Sequence, residues 1–269
     1  MRGSISTPER KKEQMMDTRL ELPSRENAPR RRGLTMVIDP GLFTGQFADA
    51  VESVGEYVDL VKFGWCTALV TPDIKRKVDI LHEAGIDFYF GGTLFERFAM
   101  AGMVDDWRAL CRTMGATHVE VSNGTIPMPN AEKARWVRRL SGEFTVVSEV
   151  GFKDQGRAAE MTSAEWVDAI GEDLAAGAAL VITEARESGR GGLCHADGTP
   201  RTEVVDDVLN CGFDVDRLLF EAPTKELQCF FVKRLGASVN LGNIHVNDVI
   251  ALETLRLGLR SDTMLCGTL

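Results

Sequence analysis

Four glutamates recur at matching points of the sequence. Glu120, Glu149, Glu184 and Glu221 each stand toward the later part of a short run rich in β-branched and apolar residues: His118 to Gly124, Phe144 to Lys153, Leu180 to Arg186 and Leu218 to Pro223. In a strand buried on both faces, an ionised carboxylate is costly unless it is paired, binds a metal or lines a site. Side chains alternate along a strand, so Glu149, Gly151 and Lys153 share a face, as do Glu184 and Arg186, and Lys62 and Gly64 in the run Tyr57 to Gly64. Carboxylates converging from neighbouring strands suit a hard divalent cation such as Mg²⁺, which takes oxygen ligands and keeps water or substrate oxygens in its shell. Glu149, Glu184 and Glu221 are the candidate metal ligands. A buried ionic network with Lys62, Lys153 or Arg186 is the competing reading, although Val or Ile would serve at purely structural positions.

Two glycine-rich turns follow predicted strands, Gly91-Gly92-Thr93 and Ser188-Gly189-Arg190-Gly191-Gly192. Their backbone N–H groups could face an anion, which makes Ser188 and Arg190 candidate substrate contacts; ordinary tight turns are the alternative. Asn240 and Asn243, in the segment Val239 to Ile244, are further candidates, with local turn hydrogen bonding as the alternative. Other chemistries lack support. His82, His118, His195 and His245 show no i, i+4 zinc spacing, and there is no G-x-S-x-G elbow, Walker loop or G-x-G-x-x-G after a strand. His118, Cys66, Trp107, Trp136 and Trp166 read as packing residues.

From residue 34 onward the runs alternate with helix-length amphipathic segments, the pattern of parallel β/α units. Eight strands are predicted: Leu34 to Asp39, Tyr57 to Gly64, Asp87 to Gly92, His118 to Gly124, Phe144 to Lys153, Leu180 to Arg186, Leu218 to Pro223 and Val239 to Ile244. Between and after them, helices are predicted over Gly45 to Glu56, Pro72 to Ala84, Val104 to Met114, Pro129 to Leu140, Ser163 to Ala176, Thr202 to Asn210, Lys225 to Arg234 and Val246 to Leu257. Gly85, Gly115, Gly177, Gly212 and Gly236 follow helices where a left-handed residue is cheap for glycine, and Thr162 or Ser163 is a cap for its helix. The expected architecture is α/β: one (β/α)8 TIM barrel over 34–269, with its site at the carboxyl ends of the strands. An open doubly wound sheet is the alternative. Residues 1–33 are polar and read as an exposed, flexible arm, with too many acids for a transit peptide.

The formal charge of −9 argues against nucleic-acid or anionic-membrane partners. No apolar run reaches the length of a membrane span, and six cysteines without a C-x-x-C pair suit a reducing cytoplasm. A homo-oligomer is expected of a barrel of this kind.

The chain resembles the phosphosulfolactate synthase family from about Asp39 to Thr263. The likeness is carried by Lys62-Phe63-Gly64-Trp65, Gly91-Gly92-Thr93-Leu94-Phe95-Glu96, Glu120-Val121-Ser122-Asn123-Gly124, Glu149-Val150-Gly151-Phe152-Lys153, Glu184-Ala185-Arg186-Glu187-Ser188-Gly189, Phe220-Glu221-Ala222-Pro223 and Asn240-Leu241-Gly242-Asn243-Ile244. The resemblance implies a Mg²⁺-dependent lyase-type enzyme on this barrel that adds sulfite to phosphoenolpyruvate in coenzyme M biosynthesis. It implies Lys153 as the acid that protonates C2, with a pKa lowered among neighbouring cations, and Lys62, Arg186, Arg190 and Arg201 as holders of the anionic reactants. It departs at Cys66, where the family pattern has Gly, and at Asn123, where it has Asp. A non-catalytic, stress-associated relative and a phosphoenolpyruvate-using lyase with another co-substrate are the alternatives.

Overall fold

Alternation along each strand sorts the chain into two cores. A computed structural model describes residues 20–266. Its strands are β1 (Thr35–Asp39), β2 (Leu60–Phe63), β3 (Asp87–Phe90), β4 (His118–Val121), β5 (Thr145–Val150), β6 (Leu180–Thr183), β7 (Leu218–Glu221) and β8 (Leu241–His245). The helices are α1 (Thr44–Val54), α2 (Ile74–Ala84), α3 (Gly92–Met100), α4 (Val104–Thr113), α5 (Asn130–Leu140), α6 (Gln155–Glu160), α7 (Ser163–Ala176), α8 (Thr202–Asn210), α9 (Lys225–Leu235) and α10 (Val249–Arg256). Val37, Val61, Phe88, Val146, Val181 and Phe220 face outward and pack under the helices, while Met36, Leu60, Tyr89, Val147, Ile182 and Leu219 fill the barrel.

All strand pairs are parallel, in the order β3-β2-β1-β8-β7-β6-β5-β4, so the sheet is a (β/α)8 TIM barrel whose ladder is open only between β3 and β4. Side chains bridge that seam. Thr117 Oγ1 donates to Asp87 Oδ1 at 2.7 Å, Gly92 N to Glu120 Oε1 at 2.6 Å, and Ser122 Oγ to Glu96 Oε1 at 2.6 Å. In β8, Gly242 leaves room for the inner core: a Cβ there would overlap Leu219 Cδ2 and stand 2.8 Å from Met36 Cε.

The helix stops fall where glycine was expected, with Gly85 and Gly177 as left-handed caps. Thr162 and Glu165 form a capping box at α7. Strands β2 to β7 end earlier than the sequence predicted, because their last residues turn into the rim loops, whereas β1 ends at Asp39 as predicted and β8 runs on to His245. Two helices were not foreseen: α3, which starts within Gly91-Gly92-Thr93, and the short α6.

The described part of the arm is not free. Arg25 makes a bidentate pair with Glu253 at 3.0 Å and donates to Gly33 O and Ala237 O, and Arg30 pairs with Asp59 at 3.1 Å. The largely buried carboxylates of Glu253 and Asp59, at the amino end of the barrel, draw these guanidinium groups in. The reading of residues 1–19 lies outside the described residues.

Candidate active site

The period of two that fills the barrel also builds its mouth. Ile38, Lys62, Glu149, Glu184 and Glu221 each follow an inner-core residue by two positions: Met36, Leu60, Val147, Ile182 and Leu219. Apart from Ile38, the next layer toward the carboxyl ends is therefore charged, with Glu120 of β4 completing it. These side chains line a cavity of about 320 Å³, with Gly91, Gly92, Thr93, Trp65, Lys153, Arg186, Glu187 and Asn243 around them.

Lys62 stands at the centre. Its Nζ lies 3.2 Å from Glu120 Oε2, 3.4 Å from Glu149 Oε2 and 3.4 Å from Glu221 Oε1. Burial opposes its charge, but these three carboxylates outweigh burial and raise its pKa well above the ordinary lysine value. Glu221 is also held by Asn243 Nδ2 at 2.5 Å and Ala185 N at 3.0 Å. Lys153 sits nearer the opening, 3.1 Å from Glu149 Oε1 and 3.4 Å from Thr93 Oγ1.

The glutamates differ in how well they are compensated. Burial raises Glu149, but Lys153 and Lys62 overcome it and hold it at about 2. Glu120 is pushed up to about 7 by burial, which Lys62 only partly offsets, with the Glu149 charge adding to the rise. Glu184 is raised well above the carboxylate range by burial and by the charges of Glu221 and Glu149. Its Oε1 accepts from Arg186 N at 2.6 Å, and it forms none of the ion pairs found among the described residues.

Several sequence expectations change in this light. Lys153 does not have a lowered pKa: burial pulls it down, but Glu149 and Glu184 more than compensate and raise it. Asn240 precedes β8 and lies at the opposite end of the barrel, where its side chain bonds Leu34 N, Asp216 O and Leu218 O; the strand starts at Leu241, so only Asn243 reaches the mouth. Ser188 and Arg190 are exposed in their turn, and the cavity takes Arg186 and Glu187 from that loop instead. Arg201 donates to Ala158 O and Met161 O, closing the end of α6 rather than facing an anion. Among the described residues no three carboxylates are grouped as a ready metal site, because Lys62 occupies the space between Glu149 and Glu221. Ile38, Trp65 and Glu187 were not foreseen as lining residues, whereas the Gly91-Gly92-Thr93 turn was; Ile38 was legible as Met36 plus two.

The departures from the family pattern are local. Cys66 has φ 58, in the left-handed region where glycine is unstrained, and burial pushes its thiol up. Asn123 turns its amide to Met128 O at 2.8 Å and does not line the cavity.

The (2R)-phospho-3-sulfolactate synthase (ComA) family model matches residues 23–262. This chain belongs to that family. The phosphosulfolactate synthase of Bacillus subtilis is 49% identical over 249 residues, covering 93% of this chain and 99% of that protein. The phosphosulfolactate synthase of Methanothermobacter thermautotrophicus is 38% identical over 90% of this chain and 95% of its own. A more remote relative is the Protein HEAT-STRESS-ASSOCIATED 32 of Arabidopsis thaliana, 26% identical over 88% of this chain and 90% of that one. Among solved structures, that of phosphonopyruvate hydrolase in complex with oxalate and Mg²⁺ has a TM-score of 0.53 at 13% identity, covering 81% of this chain and 77% of the other, which shows the shared barrel. The family is one of enzymes, and the match to residue 23 takes in the Arg25 and Arg30 contacts at the barrel's amino end. No helix among the described residues is long and apolar enough to cross a membrane.

Proposed function

We propose that this cavity adds sulfite to phosphoenolpyruvate, with Mg²⁺ as cofactor, to give 2-phospho-3-sulfolactate on the route to coenzyme M. The observation that carries the reading is one cavity that joins three cations, Lys62, Lys153 and Arg186, to a buried glutamate without an ion-pair partner, Glu184. Phosphate, carboxylate and sulfite repel one another, and Lys153 and Arg186, 19% and 29% exposed in their side chains, are placed to hold anions at the mouth.

In the reaction the sulfur lone pair of sulfite forms a bond to C3 of the enol phosphate. The C2–C3 π pair moves toward C2 and its carboxylate, and C2 then takes a proton. No bond to phosphorus breaks. Lys153 is the proton donor in this reading; the ionised Glu149 keeps it protonated at neutral pH, and solvent restores the proton afterward. Lys62 fixes Glu149 and Glu221 from below. Glu184 fits a hard cation as its first protein ligand, since Mg²⁺ is commonly held by one or two carboxylates with substrate oxygens and water completing the shell. Glu149 and Glu221, shared with Lys62, are the further candidates. Bound there, Mg²⁺ would supply positive charge against the carboxylate that receives the electron pair.

Phosphorus NMR of the protein with phosphoenolpyruvate, sulfite and Mg²⁺ tests the reading. A new phosphate-ester signal that needs both sulfite and Mg²⁺ is expected, and its disappearance in Lys153→Ala, by a factor of about 10² or more in rate. Unchanged phosphoenolpyruvate with folded protein would refute the reaction, and normal turnover by Lys153→Ala would refute the acid.

A further inference from the structure

Most of the residues that line the cavity carry charged or polar side chains. Ile38 and Trp65 are the apolar side chains that line it. They adjoin through Gly64, where an added Cβ would stand 2.8 Å from Ile38 Cδ1. The isoleucine thus lies on the backbone that leads into the tryptophan.

That backbone is strained. Trp65 and Cys66 have φ of 53 and 58, two successive non-glycine residues in the left-handed region. Thr67 holds the turn closed, donating from N and Oγ1 to Gly64 O at 2.9 and 2.8 Å. Among the described residues, the four non-glycine residues with positive φ are Trp65, Cys66, Arg186 and Asn243, and all but Cys66 line the cavity. The strain at Trp65 aims an indole that remains 53% exposed toward a charged hollow. Such a placement buries little apolar surface, so packing alone does not reward it.

Phosphoenolpyruvate is anionic at its phosphate and carboxylate and uncharged at its terminal methylene, the carbon that takes the nucleophile. We propose that Ile38 and Trp65 form the subsite for this methylene, and that the indole limits its size so that the site selects an enol phosphate unsubstituted at C3. Lys62, Lys153 and Arg186 then take the two anionic ends on the other walls. C3 therefore faces the β1–β2 side of the mouth. This rests on phosphoenolpyruvate being the substrate.

The test compares kcat/KM for phosphoenolpyruvate and its 3-methyl homologue, each with sulfite and Mg²⁺, in the parent, Trp65→Ala and Trp65→Phe. A pocket wall discriminates one methyl group by about 10–200-fold. The parent is expected to prefer the unsubstituted substrate by at least about tenfold, Trp65→Ala to narrow that preference by about tenfold, and Trp65→Phe to keep most of it. Damage to the fold lowers both rates and leaves their ratio unchanged. An unchanged ratio in Trp65→Ala, or a parent indifferent to the methyl group, overturns the proposal.

A second arm is independent of turnover. Of the four tryptophans, Trp107 and Trp166 are fully buried and Trp136 lies on α5, away from the cavity. Phosphoenolpyruvate should change the indole fluorescence of the parent and not that of Trp65→Phe; equal changes in both refute contact with Trp65. If the parent binds phosphoenolpyruvate in this way yet consumes none with sulfite, the reaction assigned above fails while the methylene subsite stands.

Discussion

Lys62→Met keeps a side chain of similar reach and removes the ammonium on which three buried carboxylates converge. Glu149 retains Lys153 at 3.1 Å, but Glu120 is left with the Gly92 N–H and Glu221 with those of Ala185 and Asn243. Those two glutamates lose the cation of their only described ion pair. Removing one partner of a buried pair costs about 3–5 kcal/mol, and protonation relieves it, so the cost depends on pH. Glu149, held at about 2 against an ordinary 4.5, gives stability that is present above pH 4.5 and lost as the pH falls toward 2. Glu120, raised to about 7, acts oppositely: its contribution is present below pH 4.5 and lost as the pH rises through 7. Loss of Lys62 moves both pKa values upward, each unit being worth about 1.4 kcal/mol. The deficit of the variant must therefore grow with pH. Urea unfolding is expected to show a loss of about 3–5 kcal/mol at pH 8 and of less than about 2 kcal/mol at pH 5. Equal losses at the two pH values would refute the view that Lys62 acts by holding ionised carboxylates.

Gly242→Ala drives a Cβ into Leu219 and Met36 and is expected to cost about 1–3 kcal/mol in urea unfolding; a neutral result would mean the inner core is looser than described. Cys66→Gly removes a left-handed strain of about 1–2 kcal/mol while adding chain entropy of about 0.5–1 kcal/mol, so a gain of up to about 1.5 kcal/mol is expected, and a loss would show that the thiol's packing dominates. Arg25→Ala should cost about 3–5 kcal/mol, because it leaves Glu253 without its bidentate partner at side-chain exposures of 7% and 10%; an unchanged urea midpoint would show that the arm's contacts are dispensable. Mg²⁺ at 100 times its Kd should stabilise the parent by about 2.7 kcal/mol and stabilise Glu184→Gln much less, and an equal shift in both would remove Glu184 from the metal site.

The parts of the fold set by local rules were legible from the sequence. A cap at Thr162 or Ser163, which the structure places at Thr162, the bounds of α8 and the eight-strand alternation needed only neighbours a few residues apart. Helix α3 was missed because Gly91-Gly92-Thr93 is a turn by composition, yet the chain bends straight from β3 into a helix there, with Gly92 N bonded to Glu120 across the open seam. Asn240 and Asn243 looked alike in sequence, but they lie on either side of the start of β8 and face opposite ends of the barrel. The direction of Lys153's pKa depends on Glu149 and Glu184, which only the closed barrel brings to it. Likewise Arg25 and Glu253 are 228 residues apart, so the anchoring of the arm has no local signature.

A barrel of this size has no structural need for an ionic layer above its apolar floor. Valine or isoleucine at Lys62, Glu120, Glu149, Glu184 and Glu221 would fill the same alternation without desolvating charge. The layer is also incompletely neutralised. Lys62 shares itself among three carboxylates, Glu184 makes none of the described ion pairs, and Lys153 and Arg186 stand nearer the opening. Separated in this way, the unpaired carboxyl of Glu184, which burial and its acidic neighbours hold toward the neutral form, complements a cation, and the mouth-facing positive charges complement anions, so a ligand pair can reduce a cost that folding alone leaves in place. Strain follows the same pattern, since Trp65 and Arg186 beyond their strands and Asn243 within β8, where the pairing with β1 shifts register, hold left-handed backbone at the mouth. Much of the electrostatic and conformational penalty of the fold thus falls in one cavity, which supports the proposal that the substrates meet there.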